Sequence, residues 1–194
     1  MLSYLSLLGF IGLMINPAKA SPSHETAIFS GGCFWCEEEV FNRLPGVLSV
    51  TVGYTGGHTS NPTYEQVSHE NTGHKESVQI VFDPTKITYD DLLTTYWHNI
   101  DPFDEKGQFC DKGDSYKAVI FYTNEAQKEK AEASKKKIEN HFQQPIFTEI
   151  QPASSFYPAE DYHQHYAEKN PLRYKFYRYT CGRDQRLAQV WGKS

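Results

Sequence analysis

Thr26-Ala27-Ile28-Phe29-Ser30-Gly31-Gly32-Cys33-Phe34-Trp35-Cys36-Glu37-Glu38-Glu39-Val40-Phe41 is the stretch from which the architecture is read. Thr26–Ser30 is a short apolar run of strand type, and it stops at two glycines. From Cys33 to about Leu44, Phe34, Val40, Phe41 and Leu44 alternate with acids at helical spacing, and Pro45-Gly46 ends the run. A strand that turns on glycine directly into a helix is a sheet-and-helix unit, and Cys33 sits at its turn.

Working outward, the same alternation of elements continues. Val50, Val52 and Tyr54 alternate with Thr51 and Gly53, which predicts a half-buried strand. Thr55–His74 is polar and glycine-rich and reads as a long loop. Val78, Ile80 and Phe82 alternate again up to Asp83-Pro84. Thr88 and Asp91 have capping-box spacing before Tyr89, Leu92, Leu93, Tyr96, Trp97 and Ile100, which share a helix face. Tyr116–Tyr122 is a third strand-type run, Asn124 caps a Lys/Glu-rich helix to about His141, and Ile146–Ile150 is a fourth strand candidate. From Pro152 the aromatic-rich sequence reads as an irregular C-terminal tail wrapped on the domain. Strands separated by helices predict an α+β fold, a mixed or antiparallel sheet covered by helices.

The 194 residues carry a formal net charge of −5, which leaves no basic footprint for nucleic acid. Lys135–Lys137 reads as a solvated helix face. Leu5–Ile15 is apolar and is followed by Pro17-Ala18-Lys19-Ala20, the pattern of a secretory signal with a small-x-small cleavage end. Residues 1–20 are therefore expected to be a signal peptide and 21–194 a single exported domain, periplasmic or secreted. No Lys or Arg precedes the apolar run, so an uncleaved anchor stays open.

Cys33-Phe34-Trp35-Cys36 carries the chemistry. A cysteine at a helix start feels free backbone N–H groups and the positive end of the helix dipole, which favour thiolate. Cys36 lies one turn on, along the same face. Redox chemistry, metal ligation and inert buried thiols all fit this spacing. Zinc has little support, because no second Cys-x-x-Cys or His-x3-His follows. Glu76 shares strand parity with Val78, Ile80 and Phe82, so its carboxyl is expected on the core side, with a raised pKa suited to donating a proton. Cys110, among Phe and Tyr, reads as a buried bystander. His163-x-His165 with Asp161, and the aromatic and basic residues from Tyr174 to Tyr179, read as packing or surface.

Gly32-Cys33-Phe34-Trp35-Cys36 resembles the signature of A-type peptide methionine sulfoxide reductases. The resemblance continues through Gly53-Tyr54-Thr55-Gly56-Gly57, Asn61-Pro62-Thr63-Tyr64-Glu65 and Thr72-Gly73-His74-Lys75-Glu76. It extends to Phe109-Cys110-Asp111-Lys112-Gly113-Asp114-Ser115-Tyr116, Phe156–Gln164 and Lys169-Asn170-Pro171. It implies a ferredoxin-like plait and reduction of the S-epimer of methionine sulfoxide, with no metal or flavin cofactor. It also implies Cys33 as nucleophile, becoming a sulfenic acid, and Glu76 as acid to the sulfoxide oxygen. Tyr64 and Tyr116 would hydrogen-bond that oxygen, Asp111 would support the site, and Phe34 and Trp35 would hold the substrate methyl group.

Two departures from the common family pattern stand out: Cys at position 36, where Gly is frequent, and the segment Tyr177–Gln185 in place of a glycine-rich tail. The resolving role lies between Cys36 and Cys181. Proximity favours Cys36 as first resolver, with Cys181 able to take over the disulfide and present it to a thioredoxin-like reductant. A monomer is expected. The competing readings are an exported thiol–disulfide oxidoreductase using Cys33 and Cys36, and a non-catalytic secreted binding domain.

Overall fold

The computed structural model describes residues 24–69 and 71–192, so the signal assigned to residues 1–20 lies outside the described residues. The chain opens with β1 (Glu25–Ser30), α1 (Phe34–Phe41), β2 (Val47–Thr55), α2 (Tyr64–His69), β3 (Lys75–Phe82) and α3 (Tyr89–Trp97). Next come β4 (Gly107–Gln108), β5 (Asp111–Lys112), a 3-10 turn at Asp114–Tyr116, β6 (Val119–Tyr122), α4 (Glu125–Phe142), β7 (Glu149–Pro152) and β8 (Tyr157–Pro158). The last elements are α5 (Tyr166–Lys169), α6 (Pro171–Thr180) and α7 (Arg183–Trp191).

One mixed sheet has the order β7-β6-β1-β3-β2-β8, with β6 and β7 parallel and the other neighbours antiparallel. Period-2 alternation divides its residues between two faces. Ala27 and Phe29 of β1, Val78, Ile80 and Phe82 of β3, and Leu92, Leu93 and Tyr96 of α3 form the main core. Ile28 points the other way, into a small cluster with Val119 and Phe121. Full burial of each large apolar side chain contributes roughly 1.5–3 kcal/mol, so the face carrying the main core dominates folding. The architecture is α+β, as expected.

The capping box at Thr88 forms in full, with Asp91 N–H donating to Thr88 Oγ1 and Thr88 N–H to the Asp91 carboxylate. Asn124 caps α4 by accepting from Gln127 N–H. A cap of this kind is worth about 1 kcal/mol.

Four expectations need correction. The loop predicted over 55–74 contains the one-and-a-half turns of α2, which begin at Tyr64. The strand expected at 146–150 lies at Glu149–Pro152, and that expected at 116–122 starts only at Val119, because Asp114–Tyr116 curls into a 3-10 turn. The C-terminal segment is not irregular: α5, α6 and α7 occupy most of it. Its periodicity is obscured because α6 buries Tyr174 yet leaves Leu172, Phe176 and Tyr179 exposed. Apolar residues on all sides give no one-sided stripe to read. No helix of the described residues is long and apolar enough to cross a membrane.

Candidate active site

The β1–α1 turn is built on glycine for steric reasons. Gly32 has φ +87°, and a Cβ there would lie 2.6 Å from Gln108 Cβ; one on Gly31 would lie 2.5 Å from Glu37 Oε1. The tight turn delivers Cys33 as the N-cap of α1, 5% exposed. Cys36 follows on the first turn of the helix, and both thiols are free and buried.

A cavity of about 80 Å³ opens at Cys33, lined by Phe34, Trp35, Tyr64, Glu76, Asp111, Tyr116 and Tyr177. Every residue that the sequence placed at the reacting centre or its apolar wall is therefore on one surface, although they come from α1, α2, β3, β5 and the 3-10 turn. Grooves of about 570 and 580 Å³ exist elsewhere, but neither touches Cys33. Here the chemistry of the lining, not its size, marks the site.

Glu76 is 3% exposed, and Oε2 accepts from the Phe34 N–H at 3.1 Å. Burial pushes its pKa well above the ordinary carboxylate range, against the opposing pull of that hydrogen bond. The core-side, proton-holding carboxyl expected from strand parity is what the structure contains. Burial likewise raises the Tyr64 and Tyr116 hydroxyls, with the Glu76 carboxyl adding to both, so they are hydrogen-bond donors at neutral pH. Lys75 pairs with Asp114 at 2.6 Å and ties the 3-10 turn bearing Tyr116 to the strand bearing Glu76.

The thiol pair departs from a further expectation. The helix start does not leave Cys33 as the more acidic thiol. Burial pushes Cys33 well up, and its contact with Cys36 and the nearby Glu76 and Asp111 carboxyls push the same way. Cys36 is lowered to about 6, chiefly by the hydrogen bond from Cys33, then by the Arg183 and Arg178 guanidiniums, with burial opposing.

Cys181 and Cys110 are joined in a disulfide, with Cα atoms 5.0 Å apart. Cys110 is thus not a buried bystander: it is exposed and bonded. With Cys181 engaged, Cys36 is the free thiol beside Cys33, and Cys181 is not brought to it as a thiol in this state. Cys110, Asp111 and Cys181 lie close enough to share an ion, but two of the three sulfur and oxygen donors are consumed by the S–S bond.

Several site residues were given no role from the sequence, although Glu160 and His163 lie in the Phe156–Gln164 motif. Tyr177, read as packing of the tail, reaches the cavity and donates to Asp111 Oδ2 at 2.5 Å. His163 does pack, as expected, but to a purpose: its Nδ1 accepts from Trp35 Nε1 at 3.1 Å, and its ring lies 4.6 Å from that of Tyr64. Tyr166 stacks on Trp35 at 3.7 Å between ring centroids. Glu160 accepts from both the Tyr54 hydroxyl and the Tyr64 N–H, at 2.9 Å each, and so fixes α2 against β2. All four belong to the segment after Pro152, whose elements were not readable.

Comparison with known proteins places this geometry. Residues 25–194 match the family described as "Peptide methionine sulfoxide reductase". The chain is 53% identical to peptide methionine sulfoxide reductase MsrA of Bacillus licheniformis over 171 residues, covering 87% of this chain and 94% of that protein. It is 50% identical to peptide methionine sulfoxide reductase MsrA 2 of Caulobacter vibrioides, covering 91% of this chain and 90% of that protein. Among solved structures, methionine sulfoxide reductase A of Corynebacterium diphtheriae superposes with a TM-score of 0.70 at 34% identity, over 79% of this chain and 78% of the other.

Proposed function

The chain belongs to the peptide methionine sulfoxide reductase family and reduces methionine sulfoxide to methionine, and from that premise we propose how its own residues carry the reaction. The observation that supports the assignment is the cavity in which Cys33, Glu76, Tyr64 and Tyr116 face one another. The sulfoxide methyl group packs against Phe34 and Trp35, and its oxygen takes hydrogen bonds from Tyr64 and Tyr116. Cys33 sulfur bonds to the sulfoxide sulfur and passes its proton to the Cys36 thiolate, while Glu76 protonates the oxygen. Transfer of that hydroxyl to Cys33 leaves a sulfenic acid and releases methionine. General acid help at a poor leaving oxygen is worth roughly 10²–10⁴-fold. Asp111 holds Tyr177 in place at the rim.

Cys36 then attacks the Cys33 sulfenic acid. The new disulfide is returned to thiols by a thioredoxin-like reductant, with Cys181 a later holder of the bond once Cys110 has released it. The substrate is the S-epimer, free or in oxidised proteins, and the enzyme repairs protein as a monomer without metal or other cofactor. The β1-α1-β2-β3-α3-β6 run, with its sheet order β6-β1-β3-β2, supports reading the fold as a ferredoxin-like plait. A thiol–disulfide oxidoreductase reading leaves Glu76 and the two tyrosines without a task.

Turnover of the separate sulfoxide epimers with a dithiol reductant tests the assignment. The S-epimer should be consumed, Cys33→Ser should abolish turnover, and equal rates on both epimers would refute the epimer choice. Export is proposed on the signal pattern at residues 1–20. N-terminal sequencing should find Ser21 first, with Lys19 and its charge removed; an intact Met1 on membrane-bound protein would refute cleavage.

A further inference from the structure

Helix α6 has two sides of different character. Tyr174 is buried in a cluster with Cys33 and Cys36, and Tyr177 donates to the Asp111 carboxylate. Leu172, Phe176 and Tyr179 instead are 82%, 70% and 85% exposed, and Arg173 and Lys175 are exposed with them. A helix advances about 100° per residue, so Leu172, Phe176 and Tyr179 fall within about 60° of one another. Lys175 lies about 40° beyond Tyr179 on one flank, and Arg173 about 60° beyond Phe176 on the other. The result is an apolar band along the helix with a cation on each side, and α6 contains no acid. The groove of about 570 Å³ beside α6 takes its walls from Pro171, Tyr174, Lys175 and Arg178, so the band lies on a ridge outside it.

The charge around this ridge has one sign. Residues 169–194 hold seven of the chain's 19 Lys and Arg but one of its 24 Asp and Glu, although the whole chain stands at −5. Arg178 pairs with Asp184, Arg186 pairs with Asp101, and Arg183 is buried. Arg173 and Lys175 enter no ion pair among the described residues. Glu39 and Glu168 lie in the groove, where Glu39 is already paired with Arg43. Two unpaired cations thus flank an exposed apolar band in a chain that is otherwise acidic.

That combination matches the surface of an anionic bilayer. Leu, Phe and Tyr side chains enter the boundary with the acyl chains, while Arg and Lys stems lie along the band and their heads reach lipid phosphates. A folded partner fits less well. A helix of ten residues is about 15 Å long and about 10 Å across, a footprint of roughly 150 Å², whereas a stable protein interface takes about 800 Å² per partner. A bilayer asks for no shape complement beyond one exposed helix. We propose that α6 is a docking helix for anionic lipid, laid on the surface through Leu172, Phe176 and Tyr179 and held there by Arg173 and Lys175. One short helix gives reversible, salt-sensitive binding rather than anchoring. Tyr174 and Tyr177 leave α6 on other faces, so docking leaves undisturbed the side chains that meet the thiol pair and Asp111. The inference does not depend on which thiol resolves Cys33.

The chain from Ser21 onward contains every described element, and its use keeps the apolar Leu5–Ile15 run out of the measurement. It is sedimented with vesicles of phosphatidylcholine containing phosphatidylglycerol, and with vesicles of phosphatidylcholine alone. It should bind the anionic vesicles, leave them as salt is raised, and stay off the neutral ones. Each cation near an anionic surface contributes about 1 kcal/mol, a factor of about five, so Arg173→Gln with Lys175→Gln should weaken binding about 25-fold. Leu172→Ser, Phe176→Ser and Tyr179→Ser together should weaken it about tenfold or more. Both variants should reduce free methionine sulfoxide at the wild-type rate, which shows that the fold is intact. If the serine variant does not fold, Phe176→Trp decides: its added fluorescence should move to shorter wavelength on anionic vesicles, and no movement overturns the inference. It is equally overturned if wild type ignores anionic vesicles, if it binds both lipids alike, or if the folded variants bind as wild type does. A wild-type dimer in solution that the serine variant dissolves would give the band to a second copy, which also overturns it.

Discussion

In the proposed reaction, Glu76 and Cys36 set the pH dependence through opposite requirements. The acid works protonated, and burial keeps Glu76 so well beyond the ordinary carboxylate range. The base that accepts the Cys33 proton works ionised, and Cys36 is lowered to about 6. The single-turnover rate of methionine release should therefore rise as pH passes through about 6 and fall at higher pH where Glu76 ionises. Glu76→Gln should slow release by roughly 10²-fold or more and remove the alkaline fall, while leaving the thiolate titration near that of wild type. Full turnover by this variant would refute the acid assignment. Tyr64→Phe and Tyr116→Phe should each cost less than Glu76→Gln, because one hydroxyl can still hold the oxygen.

At the scale of elements, α1 is unusual in burying acids. Glu37 and Glu38 are each 1% exposed, and they differ in their partners. Glu38 accepts from the His165 N–H at 2.7 Å, which binds α1 to the segment leading into α5. Glu37 has no such bond and is held near pKa 8 by burial. Below its ordinary value of 4.5 both folded and unfolded chains hold this proton; between there and about 8 the folded chain holds more. Stability from this group is thus lost as pH rises through that window. Glu37→Gln removes the titration, so its Tm advantage over wild type should widen from pH 5 to pH 8. Each kcal/mol relieved raises Tm by roughly 2–4 °C in a chain of this size. A Tm difference that does not change with pH would show that Glu37 is ionised in the folded protein.

Across the whole molecule, the C-terminal helices complete a site begun by the N-terminal unit. Tyr177 on α6 reaches the Cys33 cavity, and Arg183 on α7 reaches the turn before it. The Cys110–Cys181 disulfide closes a separation of 71 residues and ties this end of the chain to the segment bearing Asp111. A disulfide typically contributes roughly 2–4 kcal/mol of stability, with loop-closure entropy for so long a span placing this one toward the upper end. Cys110→Ser should lower denaturant stability by about that amount and still release methionine in a single turnover, since neither sulfur touches the reacting atoms. Equal stability with and without the bond would mean that packing alone holds α6 and α7 down.

Local sequence determined the elements that carry their own periodicity, caps and turns. β1, the Gly31-Gly32 turn, α1, β3, α3 and α4 are each specified within a few residues, by alternation or by a cap such as Thr88 or Asn124. The placing of Glu76 on the core side follows from strand parity alone. Motif resemblance, rather than any local rule, brought Tyr64, Tyr116 and Asp111 to the same reaction. Tertiary structure decided the rest. Tyr177, His163 and Arg183 lie more than one hundred residues from Cys33, on α6, in the turn before α5 and at the start of α7, so no local rule assigns them to the site. The more acidic thiol of the pair was also a tertiary matter: the helix start favours Cys33, but burial beside Glu76 and Asp111 outweighs it, and the hydrogen bond from Cys33, followed by the guanidiniums of α6 and α7, favours Cys36. Dipole and cap effects act within one turn and can be read along the chain, whereas desolvation and through-space charge depend on which distant segments pack there.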